Sequence, residues 1–380
     1  MTNNKNVLIS GASIAGPALA FWLRRFGFNP TVVERAAKPR EGGSAVDFRG
    51  PVHLTVLRRM GILDAIREHR TTPKEWLFLD DRGRRKARLP ADFAGGEVEI
   101  RRGDLSGILH IATEGIEYLF DDWITAVNET PHGVHVTFDK AAPRTFDLVV
   151  GADGMHSGVR ALAFGAESEF NHFTGSYFAS FSAPGFEDEP DLLIHNAPGR
   201  FASPGLFVFR SAEELPFDRR DIDAQKRLVA QQFAGLGGRT GEYVQAMLEA
   251  PDFYLDSIGT IKMEHLTRGR FALLGDAGYG STLGGMGTGM AIVGAYVLAG
   301  ELAAAGGDHR VAFPAYETQI GPYARGPQGN PGKFLAPATK TTIWLRNQSL
   351  RMFTLRPVIK MIGRFDMKMA SNLDLKDYEE

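Results

Sequence analysis

The chain has no cysteine among its 380 residues. That excludes disulfides, a thiol nucleophile, thiolate-bound zinc and iron–sulfur clusters, and it fits a protein of the reducing cytoplasm. Neither sign of charge dominates: 43 Lys and Arg stand against 45 Asp and Glu, a formal net charge of −2. Neither nucleic acid nor an anionic membrane surface is therefore expected as the main partner. The ten His residues show no H-E-x-x-H or other paired spacing, so no metal is expected. No segment reaches the ~18 uninterrupted apolar residues that a membrane span requires. The stretch 286–300 comes nearest, but it is rich in glycine and stops at Glu301, so no integral membrane association is expected.

What is present is ordinary globular material, 43% apolar and 23% charged, and long enough for two or three domains. Residues 7–23 are apolar behind Lys5 and resemble a signal peptide in composition. Gly11, Gly16 and Glu34 favour a dinucleotide fold instead.

Three glycine-and-acid signatures follow one another. The first runs from Val7 to Gly16, with Glu34 ending the next strand. A pyrophosphate needs backbone N–H groups at a helix N-terminus with no side chain in the way. Gly11 suits the tight turn, Gly16 the close helix–sheet packing, and Glu34 the adenosine ribose hydroxyls. Ser13 replaces the middle glycine of the usual pattern; it is small and can donate to phosphate. With Ile14 and Ala15 it completes the loop. Arg35 and Arg40 could contact phosphate or adenine, or be solvated surface charges. The second signature is Asp147 to Gly154, with Ser157 and Arg160 after it. The third is Gly269 to Ala277, then the glycine-rich run Gly284-Gly285-Met286-Gly287-Thr288-Gly289. Asp153 and Asp276 each follow a buried strand, where α/β sheets bind ligands. Bare backbone at Gly285 to Gly287 can lie against a flat ring, and the helix that follows can stabilise negative charge on it.

Periodicity predicts strands over 6–10, 28–34, 116–120, 133–139, 146–150 and 270–274, and helices over 14–27, 51–69, 221–236, 240–249 and 287–304. Residues 75–80 with the Asp81-Arg82-Gly83 turn suggest a hairpin. Residues 99–110 read as a loop entering a helix, 173–210 as an antiparallel sheet, and 321–337 as a linker-like loop. The tail from 338 is a basic helical pattern broken at Pro357.

With these signatures in this order, the chain resembles the single-component class A flavin-dependent aromatic monooxygenases of the para-hydroxybenzoate hydroxylase type. It is most similar to their tetracycline-inactivating and polyketide-tailoring branch. The resemblance covers nearly the whole chain. Glu34-Arg35 matches the family's acid–arginine pair, and Glu99-Ile100-Arg101-Arg102 with Leu105 matches its E-I-x-R-x-x-L element, pointing to Arg102. Asp47 falls where relatives place a residue near the isoalloxazine ring. Two departures stand out. The usual Gly-Asp-Ala-Ala-His is Gly275-Asp276-Ala277-Gly278-Tyr279, and the following proline is replaced within Ser281-Thr282-Leu283.

The resemblance implies an α/β fold: a three-layer FAD-binding Rossmann-like domain of the glutathione reductase type, with an inserted antiparallel-sheet substrate domain and a C-terminal helix. The FAD domain would be discontinuous (1–73, 97–172 and 265–325), with the substrate domain at 74–96 and 173–264. A helix over 338–370 would bridge the two; its rival reading is a peripheral membrane helix. The implied activity is hydroxylation of an aromatic or tetracycline-type polyketide substrate, using FAD, NADPH or NADH, and O₂, through a flavin C4a-hydroperoxide. Baeyer–Villiger oxygenation, or a flavin-scaffolded binding protein or non-redox cyclase, are the alternatives. No nucleophilic triad is expected. Phe178, Phe181, Phe207 and Phe209 are candidates for the substrate pocket, with core packing as the competing role for each. His172 and Arg210 could bind a phenolate or be structural. The expected assembly is a monomer or homodimer.

Overall fold

The computed structural model describes residues 5–39, 42–43, 45–80, 82–91, 96–285, 287–324, 330–353 and 373–379. A six-stranded sheet organises the nucleotide half. Its order is Thr267–Arg268, Phe271–Leu273, Leu148–Gly151, Asn6–Ser10, Asn29–Glu34, Glu117–Phe120. All pairings are parallel except that of Thr267–Arg268. The strands read as continuous apolar runs because both faces are covered. Val7, Ile9, Leu148 and Val150 face the helices Ala15–Arg25 and Gly287–Ala304 in the main core. Leu8, Val33 and Val149 face the opposite way, onto an antiparallel meander formed by Ile124–Thr130, Gly133–Phe138 and Arg144–Phe146. Helices, parallel sheet and meander are the three layers expected from the sequence.

A seven-stranded sheet forms the second half, in the order Tyr254–Ile261, Asn171–Ser180, Leu206–Arg210, Arg200–Ser203, Asp191–Ala197, Glu75–Leu79, Arg85–Leu89. It is mixed rather than purely antiparallel, since Asp191–Ala197 runs parallel to Glu75–Leu79. One face packs under the helices Ile222–Phe233 and Thr240–Glu249. The other carries Phe78, Ile194, Phe201, Val208 and Ile258, covered in part by Leu335 and Leu350.

Several elements differ from the sequence reading. The helix over 51–69 is two, Gly50–Arg59 and Leu63–Glu68, divided where Gly61 turns with φ +75. Residues 98–101 form a strand before the helix Arg102–Ala112, because Val98–Arg101 pairs with Ala45–Phe48. The stretch 321–337 contains the end of the helix His309–Ala324 and all of Pro331–Leu335. Of the C-terminal helical pattern, Lys340–Phe353 is helical and 354–372 lies outside the described residues. That helix packs on the seven-stranded sheet through Leu350, while Leu373 joins the main core of the other half.

The apolar helix Gly287–Ala304 is long enough to cross a membrane by composition, but 72% of it is buried inside the protein. It is the central core helix, and its glycines let neighbours approach closely: a Cβ on Gly294 would stand 2.3 Å from the Tyr279 hydroxyl.

Candidate active site

The three signatures meet at the carboxyl ends of the parallel strands, and the glycines explain how. Gly11 has φ +106, and a Cβ there would sit 2.4 Å from the Ala152 carbonyl oxygen. A Cβ on Gly16 would lie 1.9 Å from the Gly11 oxygen. Gly275, with φ +64, brings the third signature against the first: its Cβ would lie 3.2 Å from Ala291 and 3.3 Å from Ala15. Ile14 is buried at the start of the first helix. Glu34 reaches back to accept a hydrogen bond from Ala12 N at 2.7 Å, beside the loop.

Asp153 lies at the start of the short helix Gly158–Ala163, whose N-cap is Ser157, and accepts from Gly158 N at 2.9 Å and Val159 N at 3.2 Å, and from Ser10 Oγ at 3.2 Å. Its other oxygen, Oδ1, is buried with no hydrogen-bond partner among the described residues. Burial pushes its pKa up against those hydrogen bonds. Gly154 makes the turn with φ +83. Arg160, fully buried, donates to the Ala277 carbonyl at 2.8 Å and so ties the second signature to the third.

Arg102 donates to Ser13 Oγ at 3.0 Å, linking the E-I-x-R element to the first loop. Burial raises the pKa of Asp276 and the charge on Arg102 opposes this; no hydrogen bond to the carboxylate contributes. A Cβ on Gly287 would approach Asp276 Oδ1 to 3.3 Å, so the glycine-rich helix begins beside that carboxylate. Gly285 is exposed with φ +79; Met286 lies outside the described residues. Asp47 is on the strand opposite Glu99 and is held by Arg49 Nε at 2.6 Å.

These residues fit FAD. Glu34 offers an acceptor for ribose, the Gly11–Gly16 loop an unobstructed helix N-terminus, and Asp276 a carboxylate with no hydrogen-bond donor among the described residues. The comparisons agree. A family model for an FAD binding domain matches residues 4–232. A flavin-dependent monooxygenase from Legionella longbeachae is 37% identical over 337 residues, covering 84% of this chain and 86% of that one. The chain belongs to the flavin-dependent monooxygenases. An uncharacterized Mycobacterium tuberculosis protein, Rv1260, is 41% identical over 335 residues, covering 83% of this chain and 90% of that one. The crystal structure of tetracycline destructase Tet(51) superposes with a TM-score of 0.82 at 32% identity, with all of both chains covered.

In this monooxygenase the aromatic candidates divide between two faces of the seven-stranded sheet. Phe181, Phe207 and Phe209 are closed into the core beneath the helices Ile222–Phe233 and Thr240–Glu249, with Phe207 stacked on Phe233 at 4.5 Å. Phe178 is on the opposite face, half-buried, with its ring 5.8 Å from Tyr254. That face also receives Leu283 from the third signature. His172 is exposed, and Arg210 lies across Gly199. Arg35 turns outward, its guanidinium 5.1 Å from the Trp123 ring, into a cavity of about 810 Å³ also lined by Phe217, Asp218, Arg219 and Arg220.

Three features were missed. His53 is buried with its ring against Gly289, where a Cβ would be 2.2 Å from Cε1. Its Nδ1 accepts from Arg49 N at 3.1 Å, which assigns the proton of the neutral ring to Nε2. Burial first, then the Arg49 charge, lowers its pKa to about 4. His156, just past Gly154, bridges Glu167 Oε1 at 2.6 Å and Asp256 Oδ2 at 2.8 Å. Leu283 has φ +58. A lone histidine on a helix carries no sequence signal for such a contact, whereas His156 adjoins a motif and was open to notice.

Proposed function

We propose that the protein hydroxylates an aromatic, tetracycline-type polyketide with NAD(P)H and O₂. The observation that carries this reading is that Leu283, leading into the glycine-rich run, packs on the same apolar face of the seven-stranded sheet as Phe178. An electron-rich ring resting there would lie beside the cofactor. The full-length similarity to tetracycline destructase Tet(51) supports the substrate class.

Bound FAD supplies the activation of O₂; the chain's own groups bind, orient and exclude water. Glu34 and the Gly11–Gly16 loop would hold the adenosine and pyrophosphate, and Asp276 and Arg102 the middle of the dinucleotide. Gly285 and Gly287 leave bare backbone for the ring system. Helix N–H groups at Gly287 favour negative charge beside them. Asp47 and Arg49 form a closed ion pair near the same edge. The apolar sheet face keeps water from the reacting atoms, which limits wasteful release of H₂O₂. Arg35, Arg219 and Arg220, with Trp123 and Phe217 beside them, suit a planar base bearing phosphates, and we assign NAD(P)H to that cavity.

The test is NAD(P)H oxidation by the flavin-loaded protein with and without tetracycline, followed by mass spectrometry. Stimulated oxidation with gain of one oxygen is expected, and product structure separates ring hydroxylation from ester formation. A colourless protein that cannot be loaded with FAD, or no stimulation by any tetracycline, would overturn the reading.

A further inference from the structure

Leu283 is held in a left-handed backbone conformation, with φ +58; among the described non-glycine residues only Asp121 shares this sign. Such a conformation persists in a side-chain-bearing residue only where the surroundings over-determine it. They do so on both sides. Ile261 N donates to the Gly280 carbonyl at 2.8 Å, and Thr282 N donates to the Gly259 carbonyl at 3.0 Å. Ser281 and Thr260 form an antiparallel bridge between these bonds. Beyond Leu283, Gly284 N closes a turn onto the Ser281 carbonyl at 3.0 Å. The segment is thus an added edge to the strand Tyr254–Ile261, ending in a forced left-handed residue.

Glycine would meet this backbone requirement without strain, and glycine occupies 284, 285, 287 and 289 in the same run. Leucine at the strained position therefore points to a use for its side chain. That side chain packs against the apolar cluster that contains Val208 and Ile258, and Phe178 packs against the same cluster. Val208 and Ile258 are closed to solvent, whereas Leu283 and Phe178 remain half-buried, so they belong to the open margin of this apolar face. Leu283 also stands two residues before Gly285, where the bare backbone assigned to the flavin ring begins.

We propose that Leu283 is a specificity-determining residue. Its side chain and the Phe178 ring form the apolar floor that a flat polycyclic substrate covers, and the forced backbone sets how far that floor extends toward the cofactor. This rests on the oxygenation reading above.

The test uses FAD-loaded wild type, L283A, L283G and L283M. The probes are tetracycline, 1-naphthol and para-hydroxybenzoate, representing four, two and one rings. Flavin content, KM, kcat and the fraction of NADPH that ends in oxygenated product rather than H₂O₂ are read for each. L283A and L283G should retain bound flavin. They should lose about ten- to hundredfold in kcat/KM for tetracycline, the scale expected when methylenes are removed from an apolar pocket. The loss should fall mainly on KM and coupling, and should be smallest for the single ring. L283M should restore most of it. L283G, which accepts the backbone without strain, keeps the test valid if L283A folds poorly. Unchanged KM and coupling in both truncations, with a stimulated wild type, would refute the role of Leu283 alone. A wild type stimulated by none of the probes would refute the substrate reading and this proposal with it.

Discussion

His156 offers a measurement whose sign and size follow from the structure. Its two ring nitrogens meet Glu167 Oε1 at 2.6 Å and Asp256 Oδ2 at 2.8 Å. Arg219 at 3.2 Å and the Tyr254 hydroxyl at 2.7 Å share Asp256, and Asn171 shares Glu167 at 3.0 Å. Burial alone would drive the imidazolium to release its proton, but the hydrogen bonds and charges of the two carboxylates outweigh it and raise the pKa from 6.5 to about 9. Each tenfold change in proton affinity is worth about 1.4 kcal/mol, so the ceiling is about 3 kcal/mol. Partial exposure reduces this to about 2–3 kcal/mol. The folded protein keeps the proton to about pH 9, whereas the unfolded chain loses it near 6.5. The contribution is therefore full below pH 6.5 and declines as pH rises to 9.

Replacing His156 with Gln keeps an amide donor for Asp256 and removes the charge. For a 380-residue chain, 1 kcal/mol corresponds to about 1 °C in the thermal midpoint. At pH 6 and saturating FAD, H156Q should melt about 2–3 °C below wild type. By pH 10 the gap should have closed. Because only the difference between two proteins is read, other groups titrating in both cancel. A gap that is equal at pH 6 and pH 10 would mean that His156 packs but carries no charge, and would refute the reasoning.

Gly289→Ala would drive a Cβ to 2.2 Å from His53 Cε1 in a site with no free space. Overpacking of about 1–3 kcal/mol should weaken FAD binding about tenfold or more by fluorescence titration, and the added H53A substitution should recover part of it. Asp276→Ala removes a carboxylate that accepts no hydrogen bond among the described residues. FAD affinity should fall about ten- to hundredfold, the value of a hydrogen bond to a charged group, and flavin occupancy equal to wild type would remove Asp276 from the site.

Much of the fold was legible because its strands are of two distinct kinds. The strands Asn6–Ser10 and Leu148–Gly151 are covered on both faces, so apolar runs between glycines located them without ambiguity. The helix Gly287–Ala304 was bounded correctly because glycine begins it and its apolar character holds to Glu301. Short strands that exist only by pairing escaped. Ala45–Phe48 and Val98–Arg101 are four residues each and form because they meet one another. The strand Tyr254–Ile261 contains Asp256 and Ser257, whose polar side chains obscure the alternation. Helix His309–Ala324 carries two internal prolines, which argue against a helix in sequence alone.

The convergence of the three signatures was legible for the same reason that their glycines are indispensable. A Cβ at Gly11 or Gly16 would run into backbone rather than a movable side chain, so these positions must read as glycine in any sequence with this fold. The substrate side offered no such signal. Phe207 and Phe209 share a face, as strand geometry requires, but that face is the one closed by helices. Alternation tells which residues face together, not which face is open.

The two departures in the third signature acquire a physical account. Tyr279, in place of histidine, turns into the main core against Gly294. The absent proline is offset by hydrogen bonding. Proline stiffens a loop by fixing φ and forgoing an N–H, whereas Thr282 uses its N–H to bind the Gly259 carbonyl at 3.0 Å. Stiffness that would come from a ring is supplied by the edge of the neighbouring strand. The consequence is directional: the strand that steadies this loop also carries Asp256 at its other end, opposite Phe178. The loop through Leu283, the apolar sheet face and the His156 cluster therefore hang on one strand, and a disturbance at any of the three has a covalent and hydrogen-bonded path to the others.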